Sequence, residues 1–231
     1  MNRDLPGVRA LLLDFDGTML ETESSSYGSW RELLADHGYE LTPETWSAAV
    51  GTIGGVDPLA LLEEHLGTTV DRDALEERAR LRHSELLEEE VLRPGIELLV
   101  DEARSRGVRF AIVTSASERW VRGHLRRLGL YGDLEDVIAA NGDPARAKPD
   151  PVLYLEAAAQ LDVDPEEAVA IEDSPNGVEA ARRAGMQVVA FPNPVTVAMD
   201  LRAADAIAPD LDGLGLDGLV RLLGRRVAAA A

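Results

Sequence analysis

The sequence contains no cysteine and, among 23 basic residues, a single lysine. Without cysteine there is no disulfide framework, no thiolate nucleophile and no thiolate metal site, which fits a reducing compartment. Long apolar runs are missing as well. The opening MNRDLPGVRALLLDFDG has only a short run, which ends in acidic residues, and no later run reaches membrane-spanning length. A cytoplasmic protein with no membrane partner is the expectation. Positive charge is scarce too: 23 Lys plus Arg against 42 Asp plus Glu give a net charge of −19. Nucleic acids and anionic membrane surfaces bind mainly through clustered Lys and Arg, so both are excluded as partners. The pairs Arg126-Arg127 and Arg225-Arg226 are too small to reverse this.

The lone lysine is Lys148; every other basic residue is arginine. A compact ammonium and a planar guanidinium are not interchangeable in a tight site. Lys148 is therefore either a chance survivor on the surface or a residue with specific chemistry. At 231 residues with 45% hydrophobic content, the chain has room for an α/β core and a small second domain.

Short apolar runs at Val8–Leu13, Val108–Thr114, Asp136–Ala140, Ala168–Ile171 and Gln187–Phe191 read as strands buried on both faces of a parallel sheet. Helical stretches separate them: Ile96–Arg106, Glu118–Leu128, Pro151–Gln160 and Ser174–Ala184, three of them ending at a glycine. This alternation predicts βαβ units and a doubly wound parallel sheet. From about Tyr27 to Glu90 no strand appears, and four segments read as helices: WRELLADHG, PETWSAAVG, PLALLEEHLG and DALEERARLRHSELLEEE. An all-helical insert returning through Arg93-Pro94-Gly95 implies two domains, with residues 1–20 and 91–231 as core and 21–90 as cap. The alanine-rich C-terminus is expected to fray.

Ligands of open α/β sheets bind beyond the carboxyl ends of the strands, so what each strand delivers there matters. The first delivers Asp14-Phe15-Asp16-Gly17-Thr18, and side chains two apart in extended chain point the same way. Two bare carboxylates that close repel unless a cation lies between them or one holds a proton. The second delivers Thr114-Ser115, then Ala116, Ser117 and a helix start. That suits a phosphate oxygen, although for this element taken alone helix capping is the better account. The third leads to Lys148-Pro149, and the fourth delivers Glu172-Asp173-Ser174-Pro175-Asn176-Gly177. Acidic tips on two strands, with a lysine and a serine on others, read as a magnesium and phosphate site.

This order of motifs resembles the haloacid dehalogenase (HAD) superfamily, in the subgroup with a helical cap after the first strand that includes β-phosphoglucomutases and phosphoglycolate-type phosphatases. DFDGT at 14–18, Thr114-Ser115, Lys148-Pro149 and IEDSPNG at 171–177 carry the likeness, which runs from Leu11 to about Asn193. It implies a Rossmann-like core with an inserted C1 cap, a phosphoryl-aspartate formed on Asp14, and Asp16 as acid/base. Ser115 and Lys148 would hold the phosphoryl group, with Gly17, Thr18, Ala116 and Asn176 around phosphate or substrate. Mg²⁺ would be bound by Asp14, the Asp16 carbonyl and Asp173, with Glu172 at the metal directly or through water. The cap would open and close over the site, and the subgroup implies a monomer.

Dehalogenases of the superfamily lack an aspartate two residues after the nucleophile, so Asp16 points to phosphoryl transfer. Mutases carry a histidine where this chain has Ser26, and a cap arginine that the loop Gly51–Asp57 (GTIGGVD) lacks. Glu21-Thr22-Glu23 is a further departure after the first motif. The expected activity is hydrolysis of a small sugar or polyol monophosphate; a mutase is the alternative, and a non-catalytic protein keeping the fold is a third reading, disfavoured because every reactive position is filled. His37, His65, His83 and His124 lack metal-ligand spacing and read as surface residues. Trp30, Trp46 and Trp120 read as packing, with Trp120 able to border the pocket, and Arg119 is a substrate-contact candidate.

Overall fold

The computed structural model describes residues 7–47, 56–130 and 136–224. Strands β1 (Ala10–Leu13), β2 (Arg109–Thr114), β3 (Val137–Ala139), β4 (Ala168–Glu172), β5 (Gln187–Ala190) and β6 (Ala206–Ile207) form one sheet in the order β3-β2-β1-β4-β5-β6. Every pairing is parallel. β1 lies inside the sheet, with Leu13 in register with Ile112 of β2 on one side and Ile171 of β4 on the other. Because the chain winds outward first one way and then the other, the crevice beyond the ends of β1 and β4 is the topological switch point. The five expected strands are present. β6 was not foreseen, since two residues that are not fully buried give no readable run.

The two sheet faces differ in side-chain size. One carries Leu11, Leu13, Ile112, Val169, Ile171 and Val189 against α5 (Ile96–Ser105), α6 (Glu118–Arg127) and α9 (Gly215–Leu222). The other is rich in alanine, with Ala10, Ala111, Ala168, Ala170 and Ala190 against α7 (Val152–Gln160) and α8 (Pro175–Arg183). Small side chains on the sheet let those two helices, themselves lined by Ala157, Ala158, Ala180 and Ala181, approach closely. α9 was also unforeseen, because glycines at 213, 215 and 218 interrupt its apolar pattern.

Between β1 and β2 lie α1 (Glu23–Ala35), α2 (Pro43–Ser47), α3 (Pro58–Leu66) and α4 (Arg72–Glu88). α1 begins seven residues before the expected WRELLADHG. The Asp57 side chain caps α3 by accepting from the N–H groups of Leu59 and Ala60 at 3.0 and 3.1 Å, ahead of Pro58 in the first turn. Leu33, Leu34, Leu59, Leu62 and Ala79 form the insert's own small core. Leu41 and Trp46 pack instead with Val195, which follows β5. Residues 51–55 of the glycine-rich loop, Arg225-Arg226 and the alanine tail fall outside the described residues.

The two connections to the insert run side by side. Leu20 and Leu92 form an antiparallel bridge, and the Arg93 N–H donates to the Met19 carbonyl at 2.9 Å. Gly95 starts the return into the core at φ 86°, in the left-handed region that favours glycine. No helix among the described residues is long and apolar enough to cross a membrane.

A Cβ at Gly95 would sit 2.3 Å from the Leu211 carbonyl oxygen. Gly95→Ala should therefore lower the urea midpoint, with a loss of at least about 2 kcal/mol from combined clash and strain. Gly107→Ala, also at positive φ but with nothing within 4 Å, should lose less.

Candidate active site

The strand tips converge as their placement beyond β1 and β4 requires. Asp14 leaves β1 with its N–H on the Ile171 carbonyl at 3.0 Å, and its carboxylate is buried. Lys148 is 2% exposed, and its Nζ lies 2.5 Å from both Asp14 Oδ1 and Glu172 Oε1 and 2.9 Å from the Val113 carbonyl. An ammonium has three protons, and each has an acceptor. The lysine's backbone N–H donates to Ser115 Oγ at 3.1 Å, which ties the second tip to the third. Tyr154, buried beneath the sheet on α7, donates its hydroxyl to the same Glu172 oxygen.

Asp14, Glu172 and Asp173 each offer a carboxylate oxygen, all within 4.8 Å of one another and all buried. Glu172 Oε2 is buried with no hydrogen-bond partner. Space around it is tight, since a Cβ at Gly177 would lie 1.8 Å away. Three hard oxygen donors and one ammonium leave excess negative charge in a dry site, which suits a hard divalent cation such as Mg²⁺. The electrostatics agree. Burial drives the Glu172 and Asp173 carboxyls upward from their ordinary range, with Asp14 adding repulsion and Lys148 opposing it. Burial alone would depress the Lys148 ammonium, but Asp14 and Glu172 more than offset this and hold it above its usual value.

Asp16 faces the same crevice, half-buried, with Oδ1 accepting from Trp120 Nε1–H at 2.8 Å. Burial raises its carboxyl to about 6, the indole bond opposing and the Asp14 charge adding. Glu23, at the start of α1, is pushed further, to about 8, first by burial and then by the charges of Asp16 and Asp14.

The other expected contacts are placed less uniformly. The Gly17 N–H is used inside its own turn, on the Leu20 carbonyl at 2.8 Å, and the Ala116 N–H is held by Thr114 Oγ1 at 2.9 Å. Thr18 is fully buried with its hydroxyl unpartnered. Asn176 lies in the first turn of α8, half-buried. Arg119 is exposed in the first turn of α6 rather than gathered with the carboxylates. Ser117 caps that helix by accepting from the Trp120 N–H at 3.2 Å, and Ser174 caps α8 likewise from Gly177.

Several site residues escaped the sequence reading. Asn193, just past β5, donates to Asp173 Oδ2 at 2.6 Å and to the Gly17 carbonyl at 3.4 Å, while its own oxygen accepts from Val195 and Thr196 N–H. The rule that strand ends deliver ligands, applied to the fifth strand as to the others, would have found it. Arg93 donates to the carbonyls of Gly17, Phe191 and Pro192 and lies over the Phe191 ring at 3.5 Å, so the returning linker grips the first and fifth strand loops together. His83 and His124 are partly buried rather than free on the surface. α4 lays His83 against Trp120 at 5.9 Å, and His124 meets the indole edge-on at 4.3 Å. Trp30 and Trp46 pack in the insert as expected.

Two stability measurements follow from the charges. In metal-free buffer, Lys148→Met should lose about 3–5 kcal/mol in urea unfolding, because it leaves buried carboxylates without their ammonium. Glu23 has a folded-state affinity for its proton above the unfolded one, so its contribution is present at low pH and is lost as pH rises through about 8. Glu23→Gln should thus gain stability relative to wild type from pH 5 to pH 9, by at most about 1.4 kcal/mol per pH unit.

A protein-family model described as haloacid dehalogenase-like hydrolase matches residues 8–185. Bacillus subtilis YhcW is 40% identical over 189 residues, 82% of this chain and 86% of that protein. The phosphorylated carbohydrates phosphatase of Thermotoga maritima is 32% identical over 190 residues, covering 78% of this chain and 83% of the relative. The structure of a Rhodobacter sphaeroides CbbY variant in complex with xylulose 1,5-bisphosphate superposes with a TM-score of 0.73 at 31% identity, over 92% of this chain and 99% of that one. With the sheet order, the converging strand tips and a match across most of the chain, this protein belongs to the haloacid dehalogenase-like hydrolases.

Proposed function

We propose that the protein is a Mg²⁺-dependent phosphatase that hydrolyses a small sugar or polyol phosphate monoester through a phosphoryl-aspartate on Asp14. The observation that carries this is the meeting of the Asp14 carboxylate with the one lysine of the chain and with the buried pair Glu172 and Asp173. A carboxylate attacking a phosphate ester must be relieved of repulsion, and Lys148 at 2.5 Å supplies part of that relief. Mg²⁺, held by Asp14, the Asp16 carbonyl, Asp173 and Glu172, would supply the rest by neutralising charge on the phosphoryl oxygens.

Asp14 forms a bond to phosphorus as the ester P–O bond breaks, and protonated Asp16 gives its proton to the departing alkoxide. Water then attacks the aspartyl phosphate, Asp16 takes the water's proton, and phosphate leaves with the Asp14 carboxylate restored. A carboxyl raised to about 6 suits both halves near neutral pH, a role worth about 10²–10⁴-fold in rate. Ser115 Oγ, beside the Lys148 main chain, is free to donate its proton to a phosphoryl oxygen. The insert of residues 21–90 acts as the cap that excludes water.

The substrate class rests on Glu23 and on relatives. Near neutral pH a carboxyl raised to about 8 keeps its proton, so it can donate to and accept from a hydroxyl, as a polyol requires. The Thermotoga relative bears a carbohydrate phosphatase name and CbbY holds a ketose bisphosphate. Ser26 in place of a histidine, Glu21-Thr22-Glu23 after the first motif and the arginine-free sequence Gly51–Asp57 argue against a mutase.

The test is phosphate release from a panel of sugar, polyol and short-chain monophosphates, with MgCl₂ or with EDTA, by wild type and Asp14→Asn. Release by the wild type with Mg²⁺ is expected, with a loss of at least about 1,000-fold for Asp14→Asn. Isomerisation of β-glucose 1-phosphate in the presence of glucose 1,6-bisphosphate, without phosphate release, would instead establish a mutase.

A further inference from the structure

Trp120 is the third residue of α6, and its backbone is fixed by the Ser117 cap while Val121 and Leu125 anchor the helix in the core. Its indole is not simply buried. Nε1–H donates to Asp16 Oδ1 at 2.8 Å. An indole N–H is a donor only, so the oxygen it meets is an acceptor whether the carboxyl is protonated or not.

The ring itself is held from two directions. His124, one turn along the same helix, meets it edge-on at 4.3 Å and 74°, and also lies 6.1 Å from Phe15, the residue between Asp14 and Asp16. His83 comes from α4 of the insert, its ring 5.9 Å from the indole and tilted by 33°. His83 also hydrogen-bonds the Thr22 backbone, in the outgoing linker. Both imidazoles are depressed by burial, His124 to about 4, so near neutral pH they are uncharged rings against the indole. Packing alone would explain a tryptophan here. It would not explain a polar edge aimed at the one carboxyl that the phosphatase reading makes the proton carrier.

We propose that Trp120 is a positioning residue for Asp16: its indole N–H keeps Oδ1 as a fixed acceptor and sets the carboxyl plane, so that Oδ2 carries the proton exchanged with leaving group and water. The proposal rests on the phosphatase reading above. In it, the proton moves from Oδ2 to the ester oxygen as the P–O bond breaks and returns to Oδ2 from the attacking water. Through His83 the insert packs against the same indole, which brings α4 into contact with the residue that orients the acid/base group.

The test uses Trp120→Phe, which keeps an aromatic ring and removes the N–H, with circular dichroism and thermal melting to verify folding. A general acid is needed for an alkoxide leaving group and dispensable for p-nitrophenolate. The variant should therefore lose about 10- to 100-fold in kcat/KM on the best alkyl monophosphate of the panel, with KM little changed, and less than about 3-fold on p-nitrophenyl phosphate. Equal losses on both substrates, or none on either, would overturn the proposal and leave the phosphatase reading intact. Wild type inactive on both would remove that reading and the proposal with it. Independently of turnover, the Trp120 indole resonance in a ¹H–¹⁵N spectrum, assigned by its disappearance in Trp120→Phe, should move in Asp16→Asn more than in Arg119→Ala; an unmoved resonance would overturn the contact.

Discussion

One ammonium among three buried carboxylates is the constraint around which the molecule is arranged. Lys148 has no spare proton: Asp14, Glu172 and the Val113 carbonyl take all three. That arrangement demands that β1, β2 and β4 end at the same level, that the chain between β3 and α7 pass directly over them, and that water stay out. A parallel sheet with its switch point between β1 and β4 meets these demands, because the connections on either side leave the crest of the sheet open to loops. The alanine-rich face contributes from below. It lets α7 come close enough for the Tyr154 hydroxyl to reach Glu172 at the tip of β4.

The insert is joined to that centre more intimately than two linkers would suggest. Leu20 and Leu92 bridge, Arg93 grips three carbonyls from two site loops, and Asn193 connects one of those loops to Asp173. The linkers are thus part of the wall of the site. Any movement of the helices above must be absorbed between this clasp and the start of α1, where Thr22 and Glu23 lie.

What could be read from the sequence was whatever depends on local periodicity and on the ends of buried strands. Val8–Leu13 announced a strand with Asp14 at its tip, and AVAI announced β4 with Glu172 and Asp173; the helical insert showed itself by the lack of any strand pattern. β6 and α9 were illegible because one is two residues long and the other is broken by glycines. The residues whose site contacts the sequence does not disclose share a cause. Arg93, His83, His124, Trp120 and Asn193 owe their roles to contacts between segments distant in the chain, and no periodicity encodes which face of α4 will meet which face of α6. Arg119 follows Ser115 closely in sequence, but Ser115 sits in the turn after β2 while Arg119 lies exposed in the first turn of α6.

A chain whose basic residues are all arginine but for one lysine sealed within has a consequence beyond catalysis. Reagents that acylate or cross-link amines find no ε-amino group on the folded surface, since the only one is 2% exposed and fully hydrogen-bonded. Side-chain amine labelling of this protein therefore measures how often its centre opens, and a lysine-directed dye would serve as a reporter of unfolding rather than as a tag.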